Sequence, residues 1–238
     1  MEYRIFWTKP TTDLSSQRDK GWAQVTFPCI GRYGFLEFSI GRAKYYDDIL
    51  ARLKNGATLV DMGCCFGQDI RKLVHDGAPA DNLIGTELEP VFVDLGYELF
   101  RDRDVLAAKF ITGDIFAEGT YGLRDGTFDF VHAASFFHLF SRQEQVEALT
   151  KCIRLLKPRA GSMLLGRQIA ADEPGTIQRA QLRSNEAYHH NVESWRKLVG
   201  EVTEKLGMQV HIEAELTENK RSRDDRKWKM MRFSIELQ

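Results

Sequence analysis

The sequence predicts an α/β fold built on a doubly wound, mostly parallel sheet, and two observations carry this prediction. Short apolar segments typical of strands alternate with segments of helical periodicity along most of the 238 residues, which is the pattern of parallel βαβ units. The last two strand-like segments, 209–215 and 227–237, have no helix between them, so they predict an antiparallel hairpin at the end of the sheet. A chain of this length suits one domain, and we predict a single domain over 1–238.

Composition limits the partners that this chain can have. Its 33 Lys and Arg residues balance 34 Asp and Glu, for a net charge of -1, so there is no global basic field to attract nucleic acid or an acidic membrane. We find no signal-peptide pattern and no apolar run near the ~20 residues that a membrane span needs. We therefore expect a cytoplasmic protein that acts on a small hydrophobic molecule, without nucleic acid or membrane; a homodimer is left open.

Residues 1–42 precede the core of the domain, which we place at 43–238. The first 40 residues are predicted to lack regular secondary structure. Aromatic side chains are about twice as frequent there as in the whole sequence. Such a segment is either a lid over a bulky apolar substrate or a strap packed on the edge of the sheet. In the lid version, Tyr33 and Phe35 contact the substrate.

Residues 43–69 predict a helix, a strand and a ligand-binding turn. The helix is 43–54, with its apolar residues on one face and Gly56 as its stop. The buried strand is 58–60, with Asp61 at its carboxyl end, and a turn of small residues leads to a helix at Gln68. The turn contains Gly63, Cys64, Cys65 and Gly67. Turns of this kind expose backbone N–H groups where parallel sheets hold nucleotide-like ligands.

Asp61 narrows the choice of ligand for this turn. Its carboxylate would repel a pyrophosphate, and the spacing of the glycines is not G-x-G-x-x-G. S-adenosylmethionine carries an ammonium, a sulfonium and an adenosine but no phosphate. The turn therefore favours S-adenosylmethionine, with Cys65 replacing the middle glycine of the D-x-G-x-small-x-G pattern.

Two more acids follow the next two predicted strands. Glu87 ends the strand 82–86 and lies 20 residues beyond Gly67, the offset at which an acid reaches ribose hydroxyls; Glu89 is a competing candidate. Pro90 begins a covering helix, and Asp114 follows the strand 109–112, where it accepts from an adenine amino group or merely ends a loop. The predicted cofactor residues are Asp61, Gly63, Cys65, Gly67, Glu87, Asp114, Ile115 and Ala133.

The fourth predicted strand is 128–133, and the loop that follows it is the predicted site for the acceptor, the molecule that receives the methyl group of S-adenosylmethionine. Its sequence ASFFHLF places Ser135, Phe136 and Phe137 at the same edge of the sheet, and we predict that they contact the substrate. His138 is either a group that steers or deprotonates the acceptor, or a structural hydrogen-bonder. The loop lacks the [ND]-P-P-[YF] motif of enzymes that methylate nucleic-acid bases.

The second half of the chain continues the alternation. Ser141 and Glu144 form a capping box that opens a helix reaching residue 156, which Pro158 ends. The fifth strand, 161–169, delivers two predicted substrate residues, Arg167 and Gln168, and Arg167 pairs either with an acidic substrate or with a neighbouring acid.

The remaining residues predict an insertion, a helix and the closing hairpin. We predict a helical or loop insertion over 170–190 that carries His189 as a second candidate base; the pair His189 and His190 has no partner at metal-binding spacing, so we expect no metal. Asn191 caps a helix that stops at Gly207. In the last strand the alternation changes parity, which predicts a bulge near Met231.

Four stretches of this sequence resemble a known family: DMGCCFGQDIRKLVHDGAP, GYELFRDRD, HAASFFHLF and LLGRQ. They are similar to the small methyltransferases of fungal meroterpenoid and terpenoid biosynthetic clusters, which are class I S-adenosylmethionine-dependent enzymes. The resemblance implies a Rossmann-like, seven-stranded sheet with an antiparallel last strand. It also implies S-adenosylmethionine as cofactor and O-methylation of a polyketide-terpenoid intermediate, often at a carboxylate to give a methyl ester.

The mechanism expected from this resemblance is catalysis by proximity and orientation. A carboxylate acceptor is already ionised and needs no base, whereas a phenol or enol would use His138 or His189. Two alternatives remain open. One is a protein of the same fold that catalyses no methylation, either a cyclase using the cofactor as a fixture or a partner subunit; the other is an oxidoreductase on a related sheet.

Overall fold

The computed structural model describes residues 14–180, 182–218 and 229–238. The chain divides into two compact units, one reaching Asp114 and the other starting at Ile115. They contribute three and four strands to a seven-stranded sheet. The assignment of the whole chain to a single domain stays a prediction.

The first unit begins with helices and continues as a parallel βαβαβ arrangement. Its helices are α1 (Leu14–Gln24), α2 (Pro28–Gly31), α3 (Tyr46–Lys54), α4 (Gln68–His75) and α5 (Pro90–Phe100), and its strands are β1 (Leu59–Met62), β2 (Leu83–Glu87) and β3 (Lys109–Thr112). The strand order is β3-β2-β1, with both pairs parallel. The predicted helices and strands from residue 43 onward are thus confirmed to within a few residues.

The prediction of irregular chain before residue 40 is wrong for the part that the structure describes. Residues 14–24 form α1, and single 3-10 turns follow at Gly34–Leu36 and Ile40–Arg42. Helix α1 buries only Gln17 and Gly21, so it has almost no apolar stripe. Helical periodicity in the sequence was therefore too weak to reveal it.

The second unit contains four strands of the main sheet and a separate two-stranded sheet. Its elements are β4 (Phe130–Ala134), α6 (Arg142–Leu155), β5 (Met163–Ala170), β6 (Gly175–Gln178), β7 (Glu186–His189), α7 (Val192–Lys205), β8 (Val210–Glu218) and β9 (Lys229–Leu237). The main-sheet order is β4-β5-β9-β8. Because β9 is antiparallel to both β5 and β8, the predicted antiparallel last strand is confirmed.

Both long helices of the second unit begin at side-chain caps. Ser141 and Glu144 form the predicted capping box of α6. Asn191 caps α7 as predicted, and its box is completed by Ser194. Such boxes satisfy backbone N–H groups that the first turn of a helix leaves unpaired.

Two details of the second unit correct the sequence predictions. The insertion at 170–190 is neither a helix nor a plain loop, because β6 and β7 pair as an antiparallel hairpin; its strands are too short to give a clear alternation. There is also no bulge near Met231, since β9 pairs residue by residue with both neighbours. The apolar face of β9 comprises Met231, Phe233, Ile235 and Leu237.

Among the described residues, none of the helices combines the length and the apolar character that a bilayer span requires.

Candidate functional site

The turn between β1 and α4 is held in a left-handed backbone conformation. Gly63, Cys65 and Gly67 have φ angles of 66°, 55° and 65°. The Cys64 N–H donates to the Thr86 carbonyl at 2.8 Å, and the Gly67 N–H donates to the Cys64 carbonyl at 2.8 Å. A Cβ at Gly67 would lie 2.5 Å from the Phe110 ring, so this position needs glycine for both its φ and its space.

Glu87, at the end of β2, clamps this turn with its carboxylate. One oxygen accepts from the Cys65 N–H at 2.8 Å, and the other accepts from the N–H groups of Leu88 and Glu89 at 2.8 and 3.2 Å. Burial raises the pKa of Glu87 although these hydrogen bonds oppose the shift. A carboxylate offers about four acceptor positions, so Glu87 can hold the turn and still accept from a ligand hydroxyl.

The other two predicted acids lie at the corresponding ends of β1 and β3. Asp61 is 2% exposed, and burial together with the charges of Asp61 and Glu87 raises the pKa of the Cys64 thiol. Asp114 is partly buried, one residue beyond Gly113, whose N–H donates to the Glu87 carbonyl at 2.8 Å. These acids suit a ligand that offers a cation, hydroxyls and an amino group, and they disfavour phosphate.

A buried ion pair under the turn was missed by the sequence analysis. Arg71 donates to both carboxylate oxygens of Asp102, at 2.7 and 2.8 Å, and to the Phe66 carbonyl at 2.6 Å. The two side chains are 3% and 1% exposed. Three rings surround the guanidinium, from Tyr97, Phe100 and Phe110. The available signal was a single arginine on the apolar face of α4.

The aromatic N-terminal segment packs against the same turn. Phe35 is 1% exposed, and its ring centroid lies 4.6 Å from that of Phe66. Asp69 in α4 accepts from the Ser39 hydroxyl and the Ile40 N–H, each at 3.0 Å. In the described part of the segment this packing is that of a strap, with Phe35 in the core. Tyr33, the other predicted substrate residue, is only partly buried.

The loop after β4 packs its phenylalanines into the second unit. Phe137 is fully buried, with ring centroids 5.4 Å from Trp195 and 6.0 Å from Phe233. Phe136 is 7% exposed and contacts Phe140 at 5.0 Å. Ser135 has a φ of 55°. Of the phenylalanines predicted to contact substrate, Phe137 is a core residue and Phe136 retains a small exposed area.

The backbone around this loop accounts for the other predicted residues. The Ser135 N–H donates to the Arg167 carbonyl at 2.7 Å, so the loop is joined to β5 next to Gln168. Ala133 is fully buried in β4, and Ile115 is 3% exposed with its carbonyl accepting from Lys151 at 2.8 Å. Ala133 and Ile115 can therefore contribute backbone and apolar surface rather than polar side chains.

The two candidate bases, His138 and His189, lie together inside the second unit. They are 5% and 2% exposed, and their ring centroids are 6.0 Å apart. Burial, with the charges of His189, Arg179 and Arg167, lowers the pKa of His138 to about 3. Burial and Arg179 lower the pKa of His189 to about 4. Both imidazoles are neutral at pH 7, and both are weak bases.

Another buried histidine, His190, has a structural role. Its ring nitrogens contact the Ser194 hydroxyl at 2.9 Å and the Gln145 amide oxygen at 3.0 Å. Gln145 also donates to the carbonyls of Phe140 and Tyr188, at 3.0 and 2.7 Å. This amide therefore fixes the β6–β7 hairpin to α6. Burial lowers the pKa of His190 to about 4, with Arg142 and His189 adding to the shift and Glu201 opposing it.

We expect the folded protein to lose stability as the pH falls below about 6.5. The three histidines are neutral when folded and take up protons when unfolded, so their contribution is present above pH 6.5 and is lost toward pH 4. Each can cost up to about 1.4 kcal/mol per pH unit. The charged and titratable groups facing them are Arg142, Arg167, Arg179 and Glu201.

Thermal melts at pH 7.5 and 5.5 measure this loss. A His138→Gln, His189→Gln variant should lose less between the two values than the wild type, and the exposed control His211→Gln should lose as much. Equal losses in all three proteins would contradict the assignment to the buried pair.

Comparison with known proteins identifies relatives of this chain. Residues 59–159 match the model described as "Methyltransferase domain". The chain is 40% identical over 210 residues to the O-methyltransferase phiE of a fungal species, covering 87% of this chain and 70% of that one. It is 37% identical over 199 residues to the Asnovolin E/Chermesin D methyltransferase nvfJ of Aspergillus novofumigatus, covering 82% and 71%.

A solved structure supports the fold. The S-adenosylmethionine-dependent methyltransferase from Mesorhizobium loti superposes with a TM-score of 0.56, covering 83% of this chain and 99% of its own at 14% identity. The Rossmann-like fold implied by the sequence is thereby confirmed.

Proposed function

Because this chain belongs to the S-adenosylmethionine-dependent methyltransferases, we propose that it methylates the carboxylate of a small hydrophobic natural-product intermediate to give a methyl ester. The name of the O-methyltransferase phiE supports oxygen as the acceptor atom, and the name of the Asnovolin E/Chermesin D methyltransferase nvfJ supports a small molecule as the substrate. The oxidoreductase alternative does not agree with this family membership.

The turn and the three acids of the first unit fit the cofactor. Glu87 would accept from a ribose hydroxyl, Asp114 would accept from the adenine amino group, and Asp61 would face the cationic amino-acid end. Cys65 and its neighbouring glycines would let the ligand approach the backbone closely. When bound, S-adenosylmethionine supplies a sulfonium methyl group, and its transfer to an acceptor oxygen leaves the electrons of the broken C–S bond on sulfur.

The observation that carries the carboxylate assignment is the buried pair of neutral imidazoles. Moving a proton from a phenol of pKa ~10 to His138, whose pKa is about 3, would be uphill by on the order of 10 kcal/mol. A carboxylate of pKa ~4 is already ionised at pH 7, so no proton has to move. The work left to the protein is to hold the acceptor and to exclude water.

We expect acids to be methylated and matched alcohols not to be. Purified protein is given radiolabelled S-adenosylmethionine with 1-naphthoate or farnesoate, and in parallel with 1-naphthol or farnesol. Ester formation should exceed ether formation by at least about ten-fold, and its kcat/KM should be flat between pH 6 and 9.

A base-dependent reaction would give different results. Preferential methylation of 1-naphthol, or turnover that collapses in His138→Ala while cofactor affinity is unchanged, would contradict the proposed mechanism.

A further inference from the structure

Arg179 is a partly buried cation in the connection after β6. Its backbone N–H donates to the Asn185 carbonyl at 2.8 Å. Its guanidinium forms neither an ion pair nor a hydrogen bond with any residue that the structure describes. By the alternation of the hairpin, Arg179 lies on the same face as Gly175 and Ile177, which pair with His189 and Ala187. Its charge also contributes to the lowered pKa of both His138 and His189. A cation at such a place is suited to an anionic ligand.

Gln168 is a buried amide that lacks partners in the same unit. Its side chain is 1% exposed, and neither its oxygen nor its nitrogen has a hydrogen-bond partner among the described residues. Leaving such a group unpaired costs ~1–3 kcal/mol. Buried polar groups in native proteins are normally satisfied, so an amide of this kind indicates that a polar ligand or water completes it.

The sheet register shows which face carries Gln168. Residues two apart in a strand share a face, so Gln168 points to the same side of β5 as Gly166. Gly166 pairs with Phe233 across to β9, and the Phe233 ring lies 6.0 Å from Phe137. Gln168 therefore lies on the face that the loop containing Phe137 and His138 covers.

The β6–β7 hairpin is bound to this loop and to the end of β5. The Tyr188 N–H donates to the Phe140 carbonyl at 2.9 Å, and the Ala171 N–H donates to the His190 carbonyl at 3.0 Å. The end of the hairpin that carries His189 therefore lies beside the end of β5, and Arg179 follows the pair of Gln178 with Glu186 on the same face of the hairpin as His189.

We propose that Arg179 and Gln168 form the anchor for the carboxylate of the acceptor, with the guanidinium pairing with the anion and the amide N–H donating to it. This inference rests on the proposed function. A guanidinium fork matches carboxylate geometry, and an amide donor fixes one oxygen without adding charge. The neutral imidazoles and the ring of Phe136 keep the surroundings poor in water, which strengthens the pairing.

The anchor is tested by measuring how tightly a carboxylic acid and its matched alcohol bind to the full chain saturated with S-adenosylhomocysteine. Calorimetry with 1-naphthoate and with 1-naphthol is carried out on the wild type, Gln168→Leu, Arg179→Met and the exposed control Arg196→Met. Each anchor variant should bind 1-naphthoate at least about ten-fold more weakly and 1-naphthol within about two-fold of the wild type. Unchanged acid binding in both variants, equal loss of acid and alcohol, or a wild type that does not distinguish them would overturn the anchor.

Measurements of thermal stability show whether Gln168 has a role in ligand binding or in folding. Gln168→Leu removes two unpaired polar atoms, so its Tm should equal or exceed that of the wild type. The matched change Gln145→Leu removes an amide with three partners and should lower the Tm. A comparable loss in Gln168→Leu would identify Gln168 as a structural residue and overturn its role in the anchor.

Activity distinguishes failure of the anchor from failure of the proposed reaction. If 1-naphthoate binds in a manner that depends on Arg179 and Gln168 but accepts no methyl group, the anchor is supported and the esterification is contradicted. If 1-naphthoate is esterified equally well by the wild type and both variants, the esterification stands and the anchor is overturned.

Discussion

Replacing Glu87 by alanine is expected to weaken S-adenosylmethionine binding by at least about ten-fold. A hydrogen bond from a ribose hydroxyl to a carboxylate is worth ~1.5–3 kcal/mol, and ~1.4 kcal/mol corresponds to a ten-fold change in affinity. The variant also loses the clamp on the Cys65 N–H. Calorimetric titration of the wild type and variant gives the two dissociation constants.

The competing acid provides the matched control for this prediction. Glu89→Ala should change the affinity by less than about three-fold, because the Glu89 backbone N–H, rather than its side chain, contacts Glu87. Unchanged binding in Glu87→Ala, or a larger loss in Glu89→Ala, would refute the assignment. Glu87→Gln keeps the size of the side chain, and it should still lose affinity while its Tm changes less than that of Glu87→Ala.

The second large effect is expected at the buried ion pair beneath the turn. Asp102→Ala leaves the Arg71 guanidinium buried without its carboxylate, and breaking such a pair typically costs about 3–5 kcal/mol. Urea unfolding at pH 7.5 measures the change in the free energy of unfolding.

An exposed ion pair in the same unit provides the comparison. Arg103 and Asp94 are 57% and 60% exposed, so Asp94→Ala should cost less than about 1 kcal/mol. Equal losses for the two aspartates would show that burial of the Arg71–Asp102 pair does not govern its contribution. The double variant Arg71→Met, Asp102→Leu should recover much of the stability, yet it lacks the donor to the Phe66 carbonyl and should still bind the cofactor more weakly.

Most of the core fold was predictable because its signals are local. Buried strands such as β1 are short apolar runs, and the capping box at Ser141 and Glu144 marks the start of α6 within four residues. The bulge was a wrong prediction because it rested on the parity of Trp228 and Met230, which differs from that of Phe233, Ile235 and Leu237. The structure buries Met231 instead, in the same alternation as Phe233.

The residues of the candidate site likewise differ in whether a local sequence pattern indicates them. Asp61 and Glu87 were predicted as cofactor residues because each stands at the carboxyl end of a predicted strand. The partnership of Arg71 with Asp102 joins residues 31 positions apart, and no local pattern indicates it. Arg179 was only one of several charges in a polar stretch until the hairpin placed it on the same face as His189. Contacts of this type depend on tertiary packing, which a sequence pattern does not encode.

The hydrogen bond from the Cys65 N–H to Glu87 also determines whether the turn is already formed when the ligand binds. The left-handed turn is assembled during folding, so the protein presents a preorganised receptor and binding need not order the backbone there. Recognition by such a receptor tends toward lock-and-key behaviour, with little change in backbone on binding. Differences in affinity among adenosine-containing ligands should consequently arise from the contacts that each makes, with little contribution from rearrangement of the turn.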